Sequence, residues 1–522
     1  MIRMSAIAAE CPCKPEARAW VLANSILASG MVFIDGTVVN VALPALQDAF
    51  DAGVAQAQWV VESYALLLTA LLLLGGSMGD RFGRRRVFAA GVLVFGLASL
   101  LCGLAGSMGQ LIAARALQGL GGALLVPGSL ALISASFPAS IRGKAIGTWS
   151  GYTAITAAIG PVLGGAMIEH LSWRYAFLIN IPFALTVLFL TYRYVPESRG
   201  AEADDSTSRL DWQGAALASL GLGCLVYGLI ESSARGWDDP VVLAALALAP
   251  LAFAAFAVLE MRHPAPLLPL RLFRVRDFSG ANLLTLLLYA ALGALMFFLP
   301  LNLIQVQGYT ATAAGAALMP FIVIMFSLSR WAGGLVDRFG ARRPLVIGPA
   351  IAAVGFAWFA VPGAGGTYWT TFFPPILLLG FGMTITVAPL TTTVMNALGP
   401  AHAGLASGVN NAVSRAAGLL AIALLGIVMH LAFDRALDQR AGALPVSAGV
   451  LAQLDAQRQK LAAIALPPST PERERKLIQD AVAAAFVAGF RWVMCVSALL
   501  AACSALCAWY LIGRGREPPG QP

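Results

Sequence analysis

The sequence predicts an all-α integral membrane protein of about 14 transmembrane helices, arranged as two pseudo-symmetric six-helix bundles with two extra helices. Three observations carry that prediction. First, 59% of the 522 residues are hydrophobic and only 11% are charged, with a mean hydropathy of +0.78, too apolar for a soluble chain of this size. Second, apolar runs long enough to cross a bilayer as helix, about 20 residues each, recur along nearly the whole chain. Third, one polar loop occurs twice. Gly76-Ser77-Met78-Gly79-Asp80-Arg81-Phe82-Gly83-Arg84-Arg85-Arg86 and Gly333-Gly334-Leu335-Val336-Asp337-Arg338-Phe339-Gly340-Ala341-Arg342-Arg343 share the first glycine, Asp-Arg-Phe-Gly and the two closing arginines. The chain therefore contains an internal repeat.

In order, the predicted spans are 20–43, 57–78, 87–107, 111–133, 145–168, 176–193, 213–231, 239–259, 279–300, 311–332, 344–362, 371–395, 405–431 and 484–512. No small-residue cleavage site ends the first run, so it is expected to be retained. Eight spans separate Asp80 from Asp337 where two abutting six-span halves would place six, so two are inserted. Spans 7 and 8 are the insertion, because an acidic linker with Glu202, Asp204 and Asp205 precedes them and a basic, proline-bearing linker, Arg262 to Arg276, follows. The expected organisation is a tail over 1–19, a bundle over 20–195, a linker over 196–212, a hairpin over 213–260, a linker over 261–278, a second bundle over 279–513 and a tail over 514–522.

Basic residues fall in alternate loops: Arg81 and Arg84 to Arg86, Arg142 and Lys144, Arg193 to Arg209, Arg262 to Arg276, Arg338 to Arg343, and Arg514 with Arg516. The positive-inside rule then predicts an inner (plasma) membrane protein with both termini cytoplasmic. Arg174, Arg235 and the last loop are the exceptions. That loop, 433–483, carries mixed charge, a helical stretch over Leu451 to Ile464 and a Ser469/Glu472 capping-box spacing. A solvated cap is the first reading of it, and a docking platform for a periplasmic adaptor protein the second.

Other classes are excluded by what the sequence lacks. The net charge of +8 is dispersed in short loops and forms no nucleic-acid stripe. No phosphate-binding Gly-x4-Gly-Lys-Ser/Thr loop occurs, the four histidines do not cluster, and Cys11-Pro12-Cys13 stands without further ligands. The other five of the seven cysteines sit in apolar runs as packing residues. No enzyme chemistry, cofactor or metal site is expected, and the partners are a small-molecule substrate, H+ and the bilayer.

The repeated loop suits a tight cytoplasmic connection. Glycine permits a left-handed turn, and the aspartate can cap a helix N-terminus or pair with an arginine, giving a latch that depends on its neighbours' position. Gly76 to Val87 resembles the cytoplasmic-loop signature of the major facilitator superfamily, with the second copy its degenerate echo. By that resemblance the fold is the major facilitator fold, and Gly76, Asp80, Arg81, Gly83, Arg84, Arg85, Asp337 and Arg338 form a conformational latch.

In span 1, Asp35 is a carboxylate in an apolar helix, where an uncompensated charge costs roughly 2.5–3.5 kcal/mol. Such a group suits proton binding, with a structural polar contact as the alternative. The stretch Met31 to Pro44 resembles the first-span signature of the fourteen-span drug:proton antiporters. Glu62 in span 2 either snorkels to the outer interface or faces a cavity; the family pattern implies a small polar residue there, so Glu62 is a departure. In span 4, Arg115 and Gln118 share a helix face, and Asp35 is the expected partner of Arg115, with Asp80 as competitor. This run resembles the fourth-span signature, whose arginine is linked to proton transfer.

Span 5 carries Gly147, Gly151 and Gly160-Pro161-Val162-Leu163-Gly164-Gly165, a pattern for a kinked helix packed closely across the interface between halves. It resembles the fifth-span antiporter signature. Spans 9 to 13 hold no carboxylate in their interiors, so proton coupling is assigned to Asp35, Arg115 and Glu62 in the first half. Asn40, Gln118, Tyr152, Asn410, Asn411 and Arg415 are the expected substrate path, Arg415 being either a structural pair or a path residue. The resulting expectation is a proton-coupled exporter of lipophilic, cationic small molecules working by alternating access. An exporter of an endogenous metabolite or siderophore, and a facilitative or symport importer, are the alternatives.

Overall fold

Among the described residues, fourteen long helices lie where the hydropathy ruler places spans. The computed structural model describes residues 15–199, 211–263, 266–398, 403–441, 444–467 and 470–513. The helices are α1 (Pro15–Phe50), α2 (Val54–Phe82), α3 (Arg84–Leu104), α4 (Met108–Ser136), α5 (Ala139–His170), α6 (Tyr175–Tyr194), α7 (Trp212–Arg235), α8 (Pro240–Arg262), α9 (Arg276–Leu301), α10 (Ala311–Gly333), α11 (Arg342–Phe359), α12 (Phe373–Ala397), α13 (Ala403–Ala441) and α14 (Glu472–Leu511). Among the described residues 12 of them are long and apolar enough to cross a membrane by length and composition; α5 and α11 complete the set. No strand occurs among the described residues.

Packing divides the helices as the repeat implies. α1 to α6 pack on one another, α9 to α14 do likewise, and α7 pairs with α8. Of that hairpin, α7 lies against both α2 and α13, so it covers the seam between the bundles. Trp59 on α2 donates from Nε1 to Glu231 on α7 at 2.9 Å and tilts against Tyr227. Each hairpin helix starts on an aspartate cap, Asp211 accepting from Gly214 N at 2.7 Å and Asp239 from Val241 N at 2.8 Å. Large apolar side chains such as Leu97, Leu101, Leu185, Phe189, Leu251 and Leu506 are exposed, the outer belt of a chain solvated by lipid.

The last inter-helix segment differs from expectation. α13 extends to Ala441 and α14 begins at Glu472, because their charged ends, rejected by a hydropathy ruler, continue as helix in water. Between them sit a helix over Ala448–Ala456 and a tight helical turn over Arg458–Ala463, in place of one stretch from Leu451 to Ile464. Lys460 pairs with Asp51 of the α1–α2 turn, and Arg458 bridges Asp438 at 2.5 Å and Asp455 at 2.8 Å. Leu454 and Leu461 are fully buried. Ser469, the linker residues 200–210 with Arg209, Arg514, Arg516 and the Cys11/Cys13 pair lie outside the described residues.

Both repeat loops turn on glycine: Gly83 has φ 110° and Gly340 φ 73°, and each donates its N–H four residues back, to Gly79 and Val336. Gly83 has a second constraint, since a Cβ there would stand 2.7 Å from Glu197 Oε1, whereas at Gly340 it meets nothing within 4 Å. Gly83→Ala should therefore cost about 2–5 kcal/mol and Gly340→Ala about 1–3 kcal/mol. Equal losses in thermal unfolding of the detergent-purified variants would show that the Glu197 contact adds nothing.

Candidate functional site

Asp35 sits in the middle of α1 with no exposed surface, pointing into the first bundle. Three donors from two other helices converge on its carboxylate. Arg115 Nη1 reaches Oδ2 at 2.5 Å, and Gln118 Nε2 and Asn180 Nδ2 reach Oδ1 at 2.7 and 3.0 Å. The i, i+3 spacing on α4 brings Arg115 and Gln118 to one face, where Arg115 Nη1 also donates to Gln118 Oε1 at 2.6 Å. Ser99 on α3 accepts from Gln118 and Asn180 and donates to Phe95 O, closing the network. Arg115 is 1% exposed; its Nε donates to Val60 O at 3.0 Å, and its guanidinium lies 4.2 Å from the Tyr64 ring centre.

This constellation joins the predicted Asp35, Arg115 and Gln118, and leaves Asp80 at the loop. Sequence reasoning missed Asn180 and Ser99. Gln118, also expected on the substrate path, is fully buried here and bonded to Asp35 and Ser99. Gly119 makes the arrangement reachable, because a Cβ there would come within 2.4 Å of Tyr64 O, so only glycine lets α4 approach α2 this closely.

A cavity of about 240 Å³ lies between the halves, walled by α2, α9 and α13. Tyr64 belongs to both places: its ring packs on Arg115 and it lines the cavity. Asp35 does not line it. Arg115 and Tyr64 stand between Asp35 and the cavity. Arg415 lines the cavity and makes no hydrogen bond or ion pair with the described residues.

Glu62 is fully buried, so it does not snorkel, and both carboxylate oxygens lack a hydrogen-bond partner. It sits one turn beyond the cavity residue Ala65, on the α2 face whose Gln58 donates to Ile422 O on α13 at 3.0 Å. Of the other expected path residues, Asn40 is half-buried, Tyr152 is 54% exposed and Asn411 bonds Ser407 O of its own helix. The Asn410 amide donates to Thr285 Oγ1 at 2.7 Å and Asn282 Oδ1 at 3.1 Å, fastening α13 to α9.

At the α1–α2 end the halves are closed on each other. Gln305 donates to Gln47 at 3.0 Å, Thr312 N to Glu169 at 3.3 Å, and the Gln58–Ile422 and Lys460–Asp51 contacts lie at the same end. The predicted α5 glycines supply the seam. Cβ atoms at Gly165 and, on α10, Gly315 would stand 2.4 Å from Ala311 O and 2.2 Å from Pro161 O. Gly160 and Gly164 pack on Thr37 and Val38 of α1, whereas Gly147 and Gly151 face open space, against the expectation of close packing there.

At the α2–α3 end, Asp80 pairs with Arg84 of its own loop at 2.7 Å. Asp337 has no such ion pair because Ala341 stands at the position of Arg84. The contact that ties the first loop to another helix is made by Glu197, just past α6, which sequence reasoning missed. It accepts from Arg85 N at 3.0 Å and lies 3.6 Å from Arg86 Nε, offsetting the positive charges at the start of α3. Gly76 abuts Pro127, and Arg81 and Arg338 are exposed.

Fold and site together define a multi-pass helical membrane protein with a buried ion pair in one half and a cavity between two pseudo-symmetric halves. The Major Facilitator Superfamily model matches residues 25–422, and the chain belongs to that family. It is 35% identical over 401 residues to the tetracenomycin C resistance and export protein of Streptomyces glaucescens, covering 76% of this chain and 73% of that protein. It is 34% identical over 428 residues to multidrug resistance protein Stp of Mycobacterium tuberculosis, covering 81% and 79%. A bacterial homologue of the human lysosomal transporter Spinster, solved inward-facing and unoccupied, superposes with a TM-score of 0.70 at 18% identity, over 97% of this chain and 100% of that one, which establishes the fold.

Proposed function

We propose that this chain is a proton-coupled efflux transporter that exports lipophilic small molecules across the plasma membrane by alternating access, with both termini cytoplasmic. The observation that carries this reading is the Asp35–Arg115 pair, sunk in one half and connected to the cavity through Tyr64. The names of the relatives support export. With the positive-inside orientation, the closed α1–α2 end is the outer side and the cavity belongs to an inward-facing state.

The coupling step follows from hydrogen-bond inventory. A proton on Asp35 removes the carboxylate charge and one of its acceptor lone pairs, so protonation weakens the Arg115 contact. Releasing Arg115 loosens its stacking on Tyr64, a wall of the cavity. Glu62 is a second buried carboxyl without a hydrogen-bond partner, and it meets the outer side when α2 and α13 part. Leu454 and Leu461 bury into the chain's own surface, which supports reading the last outer segment as a cap on the gate in place of an adaptor platform.

The test is flux in proteoliposomes loaded with a lipophilic dye, with and without an imposed pH gradient. Proton-driven export predicts accumulation against the dye gradient only when the pH gradient is present and of the right sign; equal flux in both arms would make the protein a facilitator. Glu62→Gln should keep downhill flux and shift the pH dependence of driven export. An unchanged pH profile would remove Glu62 from the coupling scheme.

A further inference from the structure

The cavity carries one charge, and it is positive. Arg415 on α13 lines it without a hydrogen bond or ion pair to the described residues, and no carboxylate is among the lining side chains. A guanidinium keeps its charge at any physiological pH, so in an apolar wall it requires an anion or several acceptors. Tyr64 and Thr69 border the cavity through their carbon atoms; their hydroxyl oxygens are enclosed, Tyr64 Oη lying toward Gly122 on α4. The remaining walls are apolar, including Leu68, Leu292, Met296, Leu419 and Ile422.

One fixed, unpaired cation on α13 among largely apolar walls matches a compact amphipath bearing an acidic group. We propose that the cavity is a subsite for lipophilic organic anions, with Arg415 binding the carboxylate, phenolate or sulfonate. This rests on the efflux reading for its physiological meaning, and it reverses the cationic cargo expected from the acidic residues of the first half. The reason is geometric: Asp35 is already neutralised by Arg115, and neither Asp35 nor Glu62 lines the cavity, so the carboxylates that suggested a cation are not presented to cargo.

The same placement ties cargo to coupling. Tyr64 borders the cavity and its ring packs on Arg115, so occupancy of the cavity bears on the Asp35 pair without touching it.

The test uses two probes matched in shape and opposite in charge, 1-naphthoate and 1-naphthylmethylammonium, titrated by equilibrium dialysis into the purified full-length protein at constant pH. The naphthoate should bind at least about tenfold more tightly. Arg415→Gln should weaken naphthoate by about tenfold or more and leave the ammonium probe unchanged, and Arg415→Lys should recover part of the loss. Arg415→Met, similar in length and uncharged, should weaken naphthoate to a similar degree and serves as the second variant should Arg415→Gln be poorly folded. Equal or tighter binding of the ammonium probe by the unaltered protein, or unchanged naphthoate affinity in whichever of Arg415→Gln and Arg415→Met is well folded, overturns the proposal. Binding is read without a gradient, so failure of proton coupling in the flux assay leaves this result standing, and the reverse holds too.

Discussion

Asp35→Asn should reduce transport driven by a pH gradient to the level measured without one, while downhill exchange of the same dye persists. The carboxylate accepts from Arg115, Gln118 and Asn180, and an asparagine offers one acceptor oxygen and an NH2 group that meets donors. It also leaves the Arg115 guanidinium, 1% exposed, without a counter-charge. Removing one partner of a buried pair costs about 3–5 kcal/mol, so the variant must be checked for monodispersity and for retained probe binding before its flux is read. The informative comparison is with Asp35→Glu, which restores a titratable group one methylene further out and should recover part of the driven flux. Full driven transport by well-folded Asp35→Asn would remove Asp35 from the coupling step, leaving the fold and the cavity proposal intact.

The parts of this site that were legible in the sequence are those whose chemistry is costly in lipid. A carboxylate and an arginine inside apolar helices each demand a partner, and few candidates exist, so Asp35 and Arg115 could be paired across 80 positions of sequence. Asn180 and Ser99 were not legible because neutral polar side chains are common in membrane helices, and nothing local distinguishes one that reaches across 145 positions to Asp35. Glu197 had a usable signal, an acid just past the sixth span and a basic run opening the third, but the pairing depends on which helix ends lie side by side. Repeat spacing marked the α7–α8 pair as the expected insertion; its docking on α2 and α13 depends on side chains such as Trp59 and Glu231 that read as ordinary interface polarity. Arg415 shows the limit most clearly, since its role turns on the absence of a nearby carboxylate, a property of space and not of order along the chain.

The two halves of the site also explain why a single conformation can hold cargo and proton apart. The polar network around Asp35 lies wholly within α1, α2, α3, α4 and α6, and so travels with one bundle as a unit. The cavity is shared, with Tyr64 and Thr69 on α2 facing Arg415 on α13. A rocking motion that parts α2 from α13 opens the anion subsite while leaving the ion pair geometrically intact, so coupling must pass through groups common to both places. Tyr64 is such a group, packing on Arg115 and lining the cavity.

Gly315→Val should unseat the closed outer gate. A Cβ at that position would lie 2.2 Å from Pro161 O, a backbone atom held inside α5, and the reciprocal contact at Gly165 is 2.4 Å from Ala311 O. Neither carbonyl can yield as a flexible side chain would, so the bundles must separate there. Overpacking of this kind costs about 1–3 kcal/mol, all of it charged to the conformation in which α5 and α10 touch, which corresponds to a roughly 5- to 150-fold shift toward the open gate. Amide hydrogen exchange should accelerate over residues 305–318 and 160–172, and driven export should fall because the cycle stalls outward-open, while far-UV circular dichroism stays helical. Gly151→Ala is the internal control, since nothing lies within 4 Å of its Cβ position, and it should leave both exchange and export unchanged. Slow exchange across the seam in folded Gly315→Val would mean that the two glycines fill space without setting the distance between the halves, and the gate would then have to be sought in the polar contacts around Gln47, Gln58 and Asp51.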